Sequence, residues 1–131
     1  MHTLKLERTQ KLFIRYALRQ LPWNDPVKLP DYPSRCMLIS METLTARRLK
    51  LQRMFVFDII EGNIDCPELL QQINFNVPQR ALRSFPVNNV PFHRTNYGRN
   101  SPYDSCLRAF NDVSSVHEFG MSKTTFNTRI R

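Results

Sequence analysis

With 131 residues, 41% of them hydrophobic and nine of them phenylalanine, the chain can build one domain with a modest core or form one piece of a larger protein, and whole-length disorder does not fit. The formal charge of +8 favours a polyanionic partner, nucleic acid before membrane, because no long apolar anchor accompanies it; ordinary solvated surfaces also run basic, so charge alone leaves both readings open. Three cysteines, Cys36, Cys66 and Cys106, stand about 30 and 40 residues apart with no CxxC pair, which argues against a disulfide framework or a zinc site.

The charge is uneven along the chain. Residues 1–55 hold eleven Lys/Arg against four Asp/Glu, residues 56–78 none against four, and residues 79–131 eight against three. Two basic segments therefore flank an acidic one. Neither a signal peptide nor a run of ~18 apolar residues is present, so the sequence reads as soluble, without a membrane partner, and intracellular, in nucleus or cytoplasm.

Residues 3–21, TLKLERTQKLFIRYALRQL, contain no Gly or Pro and carry helical periodicity. On a wheel, Leu6, Phe13, Ile14, Ala17 and Leu21 fall on one side, and Lys5, Arg8, Lys11, Arg15 and Arg19 on the other. From Lys5 to Arg19 the basic stripe spans ~21 Å at 1.5 Å per residue, long enough to follow successive phosphates. The plainer reading is that these five residues are the wet face of a packed helix.

Pro22 ends that helix, and Pro26, Pro30 and Pro33 keep the next dozen residues extended or turned. Trp23 in this strap suits a plug over a neighbouring helix better than a stacking surface. A short helical turn over 34–40 leads to a second long helix, with Ser40 as its expected cap and Gly62 at its left-handed end. Leu44, Leu51, Phe55 and Ile59 make its apolar stripe, and the run MFVFDII, apolar nearly all round, marks its most buried half. Arg47, Arg48, Lys50 and Arg53 are a second phosphate-facing patch or surface solvation.

The sequence DCPELLQQINF starts another helix, with Asp65 and Glu68 placed to form a capping box and Pro67 in the first turn. That assignment leaves them little room as a catalytic carboxylate pair. From Phe75 to Ser101 neither helical nor alternating pattern persists, and Pro78, Pro86, Pro91 and Pro102 punctuate it. Ser101 and Pro102 open a helix carrying Tyr103, Leu107 and Phe110, and a last one begins at Ser122 with Phe126 and Ile130 on one side. Within PFHRTNYGRNSP, residues 91–102, the histidine, tyrosine and arginines look like a site, yet Gly98 and the asparagines are explained as a turn; Arg94 and Arg99 remain candidates for phosphate contact.

The inventory for catalysis is poor. There is no GxSxG, no Walker A and, with three glycines, no phosphate-cradling loop. His2, His93 and His117 are isolated, with no acid assembled around His93, and the aspartates are dispersed with no DD pair to hold Mg²⁺. No catalytic residue, metal ligand or cofactor site is assigned.

Four stretches carry a resemblance: LERTQKLFIRYALRQLPW (6–23), YPSRCMLISMETLTARR (32–48), GNIDCPELLQQINFNVPQRALR (62–83) and PFHRTNYGRNSP with a following Phe110-Asn111. Together they resemble the region that follows the polymerase core in reverse transcriptases of jockey-like non-LTR retrotransposons, with Met41 where that family usually has Leu. The resemblance covers nearly the whole chain. It implies a thumb-like helical region that grips the template-primer backbone, with Lys5, Arg8, Lys11, Arg15 and Arg19 in that role and Arg47 and Arg48 beside them, Arg8, Arg15 and Arg19 foremost. It also implies that the catalytic aspartates of the Y/F-x-D-D motif belong to a palm upstream of Met1, so the isolated chain is a truncated, non-catalytic piece whose native packing partner is the missing polymerase core.

The expected fold is all-α: a small irregular helical domain of two long and two or three short helices with a long Pro-rich loop. Its expected organisation is a thumb-like region over 1–75, an extended loop over 76–101 and short C-terminal helices over 102–131. The expected function is residual nonspecific binding of RNA or DNA backbone. The alternative is a helical protein-interaction domain whose bare apolar faces bind a partner or self-associate.

Overall fold

A computed structural model describes residues 2–20, 30–77, 86–113, 115 and 117–130, with backbone alone for residues 2–4. The Trp23 strap, with Leu21, Pro22 and Pro26, and the segment around Pro78 lie outside the described residues. The fold is all-α as expected, with two long helices, α1 (His2–Gln20) and α3 (Leu44–Ile60). Among the described residues there are five shorter ones: α2 (Tyr32–Leu38), α4 (Pro67–Gln71), α5 (Asn96–Arg99), α6 (Pro102–Asn111) and α7 (Lys123–Arg129). Residue contacts group the chain into two compact units, Met1–Arg48 and Leu49–Arg131, with the division inside α3.

In the first unit α1 packs on α2. The buried line of α1 is Gln10, Ile14 and Leu18, and the last two meet Cys36, Tyr32 and Ile39. The expected apolar side was drawn too far round, because Leu6 and Phe13 are more than half exposed. A seven-residue α2 covers only a narrow stripe of a nineteen-residue helix, so the apolar residues at the edge stay bare. Gln10 is buried because its Nε2 donates to the Glu42 carbonyl at 3.0 Å. Tyr32 stands with Glu7: the phenol oxygen and Glu7 Oε2 are both shut from solvent without completing a well-formed hydrogen bond. Burial first, then the Glu7 carboxylate and the Cys36 thiol, raise the Tyr32 phenol well above its ordinary range.

Ser40 does not cap α3. It takes φ of +52° and closes α2, with its N–H on the Met37 carbonyl at 3.0 Å and Met41 N–H on Cys36 at 2.9 Å. This is the paired bonding that a left-handed residue allows after a helix end. Thr43 caps α3 instead, its Oγ1 accepting from Ala46 N–H at 3.2 Å.

The second unit is built on the C-terminal half of α3. Val56, Phe57, Asp58 and Ile59 are buried on successive positions, as the all-round apolar run anticipates, and they meet Leu107 and Phe110 of α6, Phe126 of α7, and Ile73 and Ile130. Leu51, expected in the buried stripe, is 61% exposed; burial follows the crowded end of the helix and not the stripe. Phe57 and Phe126 stack with centroids 4.4 Å apart, and His117 meets Phe57, Phe110 and Phe126 edge-on. His117 Nε2 reaches Glu61 Oε1 at 3.0 Å, and Glu61 Oε2 accepts from Gly120 N–H at 2.9 Å. Asp58, buried in this core, is paired by Lys123 Nζ at 2.6 Å and by Asn63 Nδ2 at 3.2 Å. Gly62 ends α3 with φ of +72°, as its position predicts.

The expected capping box at Asp65 and Glu68 does not form. Cys66 holds the N-cap place with no side-chain cap bond, and its Sγ lies 3.7 Å from Glu68 Oε2. Pro67 does open α4, and Tyr103 from α6 donates its hydroxyl to the Leu69 carbonyl at 2.6 Å. Ser122 caps α7 through Thr125 N–H at 3.2 Å, and Phe126 and Ile130 are buried as expected. Among the described residues there is no strand, only an antiparallel bridge between Phe75 and Asn88, and no helix long and apolar enough to cross a membrane.

Candidate nucleic-acid surface

α1 carries the predicted stripe in the open. Lys5, Arg8, Lys11, Arg15 and Arg19 are all exposed. At about 100° per residue, Arg8, Arg15, Arg19 and Lys5 lie within about 80° of one another, on the flank reached by turning away from Ile14. Lys11 stands nearer the buried line, and its Nζ sits 5.0 Å from the Tyr32 ring centroid, a cation–π contact that draws it toward α2. The stripe is therefore four residues with a fifth at its border. The opposite flank of the exposed surface is apolar, with Leu6 and Phe13 there and Tyr16 between the two flanks, while Leu12 lies inside the basic sector between Arg19 and Lys5; all four are more than half exposed.

The second predicted patch is split. Arg47 is exposed and Arg48 half-buried in the first turns of α3. Arg53 is committed elsewhere: its Nε donates to the Ala109 carbonyl at 3.2 Å, near the C-terminal end of α6. That bond takes it out of a phosphate-facing role.

The 91–102 segment is more built than a turn. Asp104 is buried and its Oδ2 lies 2.7 Å from His93 Nε2, so an acid does stand against His93. The expectation that no acid is assembled around His93 is thereby corrected: the partner is eleven residues away and the pairing depends on how the loop folds back. Gly98 presses on the imidazole: a Cβ there would lie 2.9 Å from the His93 ring. Thr95 caps α5, accepting from Gly98 N–H at 3.2 Å, a single helical turn where no periodicity announced one. Arg108 donates to the Arg99 carbonyl and to Ser105 Oγ at 3.3 Å. These contacts leave an open cleft of about 510 Å³ lined by Phe92, His93, Arg94, Asn96, Arg99 and Arg108.

Sequence inspection also missed Asn111. Its side-chain amide brackets the Asn88 backbone, accepting from Asn88 N–H at 2.9 Å and donating to Asn88 C=O at 2.8 Å. This clasp ties the start of the loop to α6. Among the described residues no three of His, Cys, Asp and Glu gather as metal ligands.

No family model, curated protein or solved structure matches the chain.

Proposed function

We propose that the chain is a non-catalytic, nucleic-acid-binding fragment related to the region after the palm of jockey-like reverse transcriptases, and that it grips RNA or DNA backbone through α1. The observation that carries the proposal is the exposed sector of Arg8, Arg15, Arg19 and Lys5, on a helix held from its other side by Ile14 and Leu18. Arginine forks fit phosphate oxygens, a stripe of ~21 Å follows a backbone, and such contacts carry no sequence information. The origin is supported by the four matched stretches, and the reading frame upstream of Met1 tests it: a decayed or intact palm with Y/F-x-D-D is expected there.

A second reading has its own observation. Leu6, Leu12, Phe13 and Tyr16 leave α1 with exposed apolar surface, which suits a protein partner, the missing polymerase core or a second copy. Light scattering combined with a duplex-binding titration separates the two. A monomer whose duplex affinity falls steeply with salt is the expected result. A salt-insensitive oligomer without nucleic-acid affinity overturns the first reading in favour of the second.

A further inference from the structure

We propose that the 91–102 loop is a second, separate site that binds single-stranded nucleic acid, with Phe92 and Tyr97 stacking on unpaired bases and Arg94 and Arg99 holding the adjoining phosphates. This deepens the nucleic-acid reading of the chain by naming the form of ligand that unit Leu49–Arg131 takes. It does not depend on α1.

Phe92 is 92% exposed and Tyr97 is 93% exposed. Two aromatic rings held almost wholly in water forgo the burial that would otherwise stabilise the fold, although a core rich in phenylalanine lies in the same unit. The backbone between them is held by the close approach of His93 to Asp104, by Gly98 against the imidazole, by the Thr95 cap and by Arg108 on the Arg99 carbonyl. Ordering this backbone in advance lowers the ordering cost of a ligand.

The charged side chains that line the cleft beside Phe92 are all arginine: Arg94 and Arg99, both exposed, and Arg108. Asp104, in the first turn of α6, is buried and already faces His93. An alternation of aromatic ring and arginine along eight residues, Phe92 to Arg99, matches a strand that presents base and phosphate in turn. A duplex keeps its base faces inside the stack and offers such rings nothing but its ends, so the rings select for single strands. An acidic peptide would satisfy the arginines but leave the two exposed rings without a matching flat partner.

The test is fluorescence anisotropy with the full chain and three labelled probes: oligo(dT), oligo(U) and a random-sequence duplex. The strands are about a dozen nucleotides long, within the ~4–16 that a single-strand site covers. The double variant Phe92→Ala/Tyr97→Ala touches no packed surface, so its fold, checked by circular dichroism, remains intact. It is expected to weaken single-strand binding by about ten-fold or more while leaving duplex binding within about two-fold. Arg94→Gln/Arg99→Gln is expected to lower single-strand affinity and flatten its salt dependence by about 1.4 in log–log slope, at roughly 0.7 per phosphate. The oligo(dT) and oligo(U) arms identify DNA or RNA as the tighter ligand. Single-strand affinity unchanged by the aromatic variant, an equal loss on duplex, or a wild-type chain that binds neither oligonucleotide overturns the proposal. Arg8→Glu/Arg15→Glu/Arg19→Glu in the same assay keeps the two surfaces apart: it is expected to lower duplex binding and leave the aromatic effect on single strands intact, so duplex binding unchanged by it overturns the α1 reading alone, and single-strand binding unchanged by Phe92→Ala/Tyr97→Ala overturns the loop proposal alone.

Discussion

Replacing Asn111 with Ala removes two hydrogen bonds at once and leaves their partners without water. Asn88 is 1% exposed, and its backbone N–H and C=O both end on the Asn111 side chain, at 2.9 and 2.8 Å. A buried polar group stranded in this way costs about 1–3 kcal/mol, so the pair costs about 2–5 kcal/mol. Whole domains are stable by only about 5–15 kcal/mol, and the loss is a large part of that. Urea unfolding followed by circular dichroism reads it as a lower midpoint with an unchanged slope. Asn111→Asp refines the test: it keeps the acceptor for Asn88 N–H but turns a carboxylate oxygen toward the Asn88 carbonyl. It is expected to cost at least as much at neutral pH and to recover as acid restores a hydroxyl donor. An Asn111→Ala variant within about 0.5 kcal/mol of wild type refutes the reasoning, since the Asn88 backbone would then have other partners or solvent.

Three further outcomes are expected. Phe126→Ala removes a ring that is wholly buried and stacked on Phe57, and unfolding should show a loss of about 3–5 kcal/mol; a loss below about 1 kcal/mol contradicts the core described here. Asn88→Leu replaces a buried amide whose Nδ2 and Oδ1 have no partner, and denaturant unfolding should find it neutral or more stable by about 1 kcal/mol, whereas a loss above about 2 kcal/mol reveals a bond that the fold does not display. Burial, with help from Glu7, raises the Tyr32 phenol from its ordinary 10.0, and burial with Asp104 beside it raises Tyr103. The folded chain then holds more protons than the unfolded one above pH 10, so stability is complete below that pH and falls as pH rises beyond it. Tyr32→Phe should flatten the fall seen in pH-dependent melting; an unchanged alkaline slope contradicts it.

Much of the fold is legible in the sequence because its signals are local. Pro67 and Pro102 sit in first turns, Gly62 and Ser122 mark a helix end and a helix start, and the run MFVFDII holds the most buried stretch of α3, Val56 to Ile59, with its other members partly buried. What failed depended on how much surface a neighbour covers. Leu6, Phe13 and Leu51 are apolar in the right rhythm, yet each is more than half exposed. Ser40 and Asp65 fail as expected caps for a different reason: a left-handed serine that closes α2 and a cysteine in the N-cap place of α4 are exceptions to residue preference that backbone geometry decides.

The candidate surfaces divide in the same manner. The α1 stripe needs only helical spacing, and it is exposed where the spacing puts it. The loop needs His93 to meet Asp104 and Asn88 to meet Asn111, pairings across eleven and 23 residues that no short window contains. Arg53 illustrates the converse, a cation that belongs to a basic cluster in sequence and is bound to the Ala109 carbonyl in space.

The central claim is that α1 grips a nucleic-acid backbone, and the salt dependence of duplex binding tests it most directly. If Lys5, Arg8, Arg15 and Arg19 each neutralise a phosphate, log affinity should fall against log salt with a slope of about −3.6, at roughly −0.9 per contact. Arg8→Glu/Arg15→Glu/Arg19→Glu, confined to exposed positions, should weaken binding and bring the slope to about −1 or shallower. Binding and slope unchanged in that variant would contradict the account.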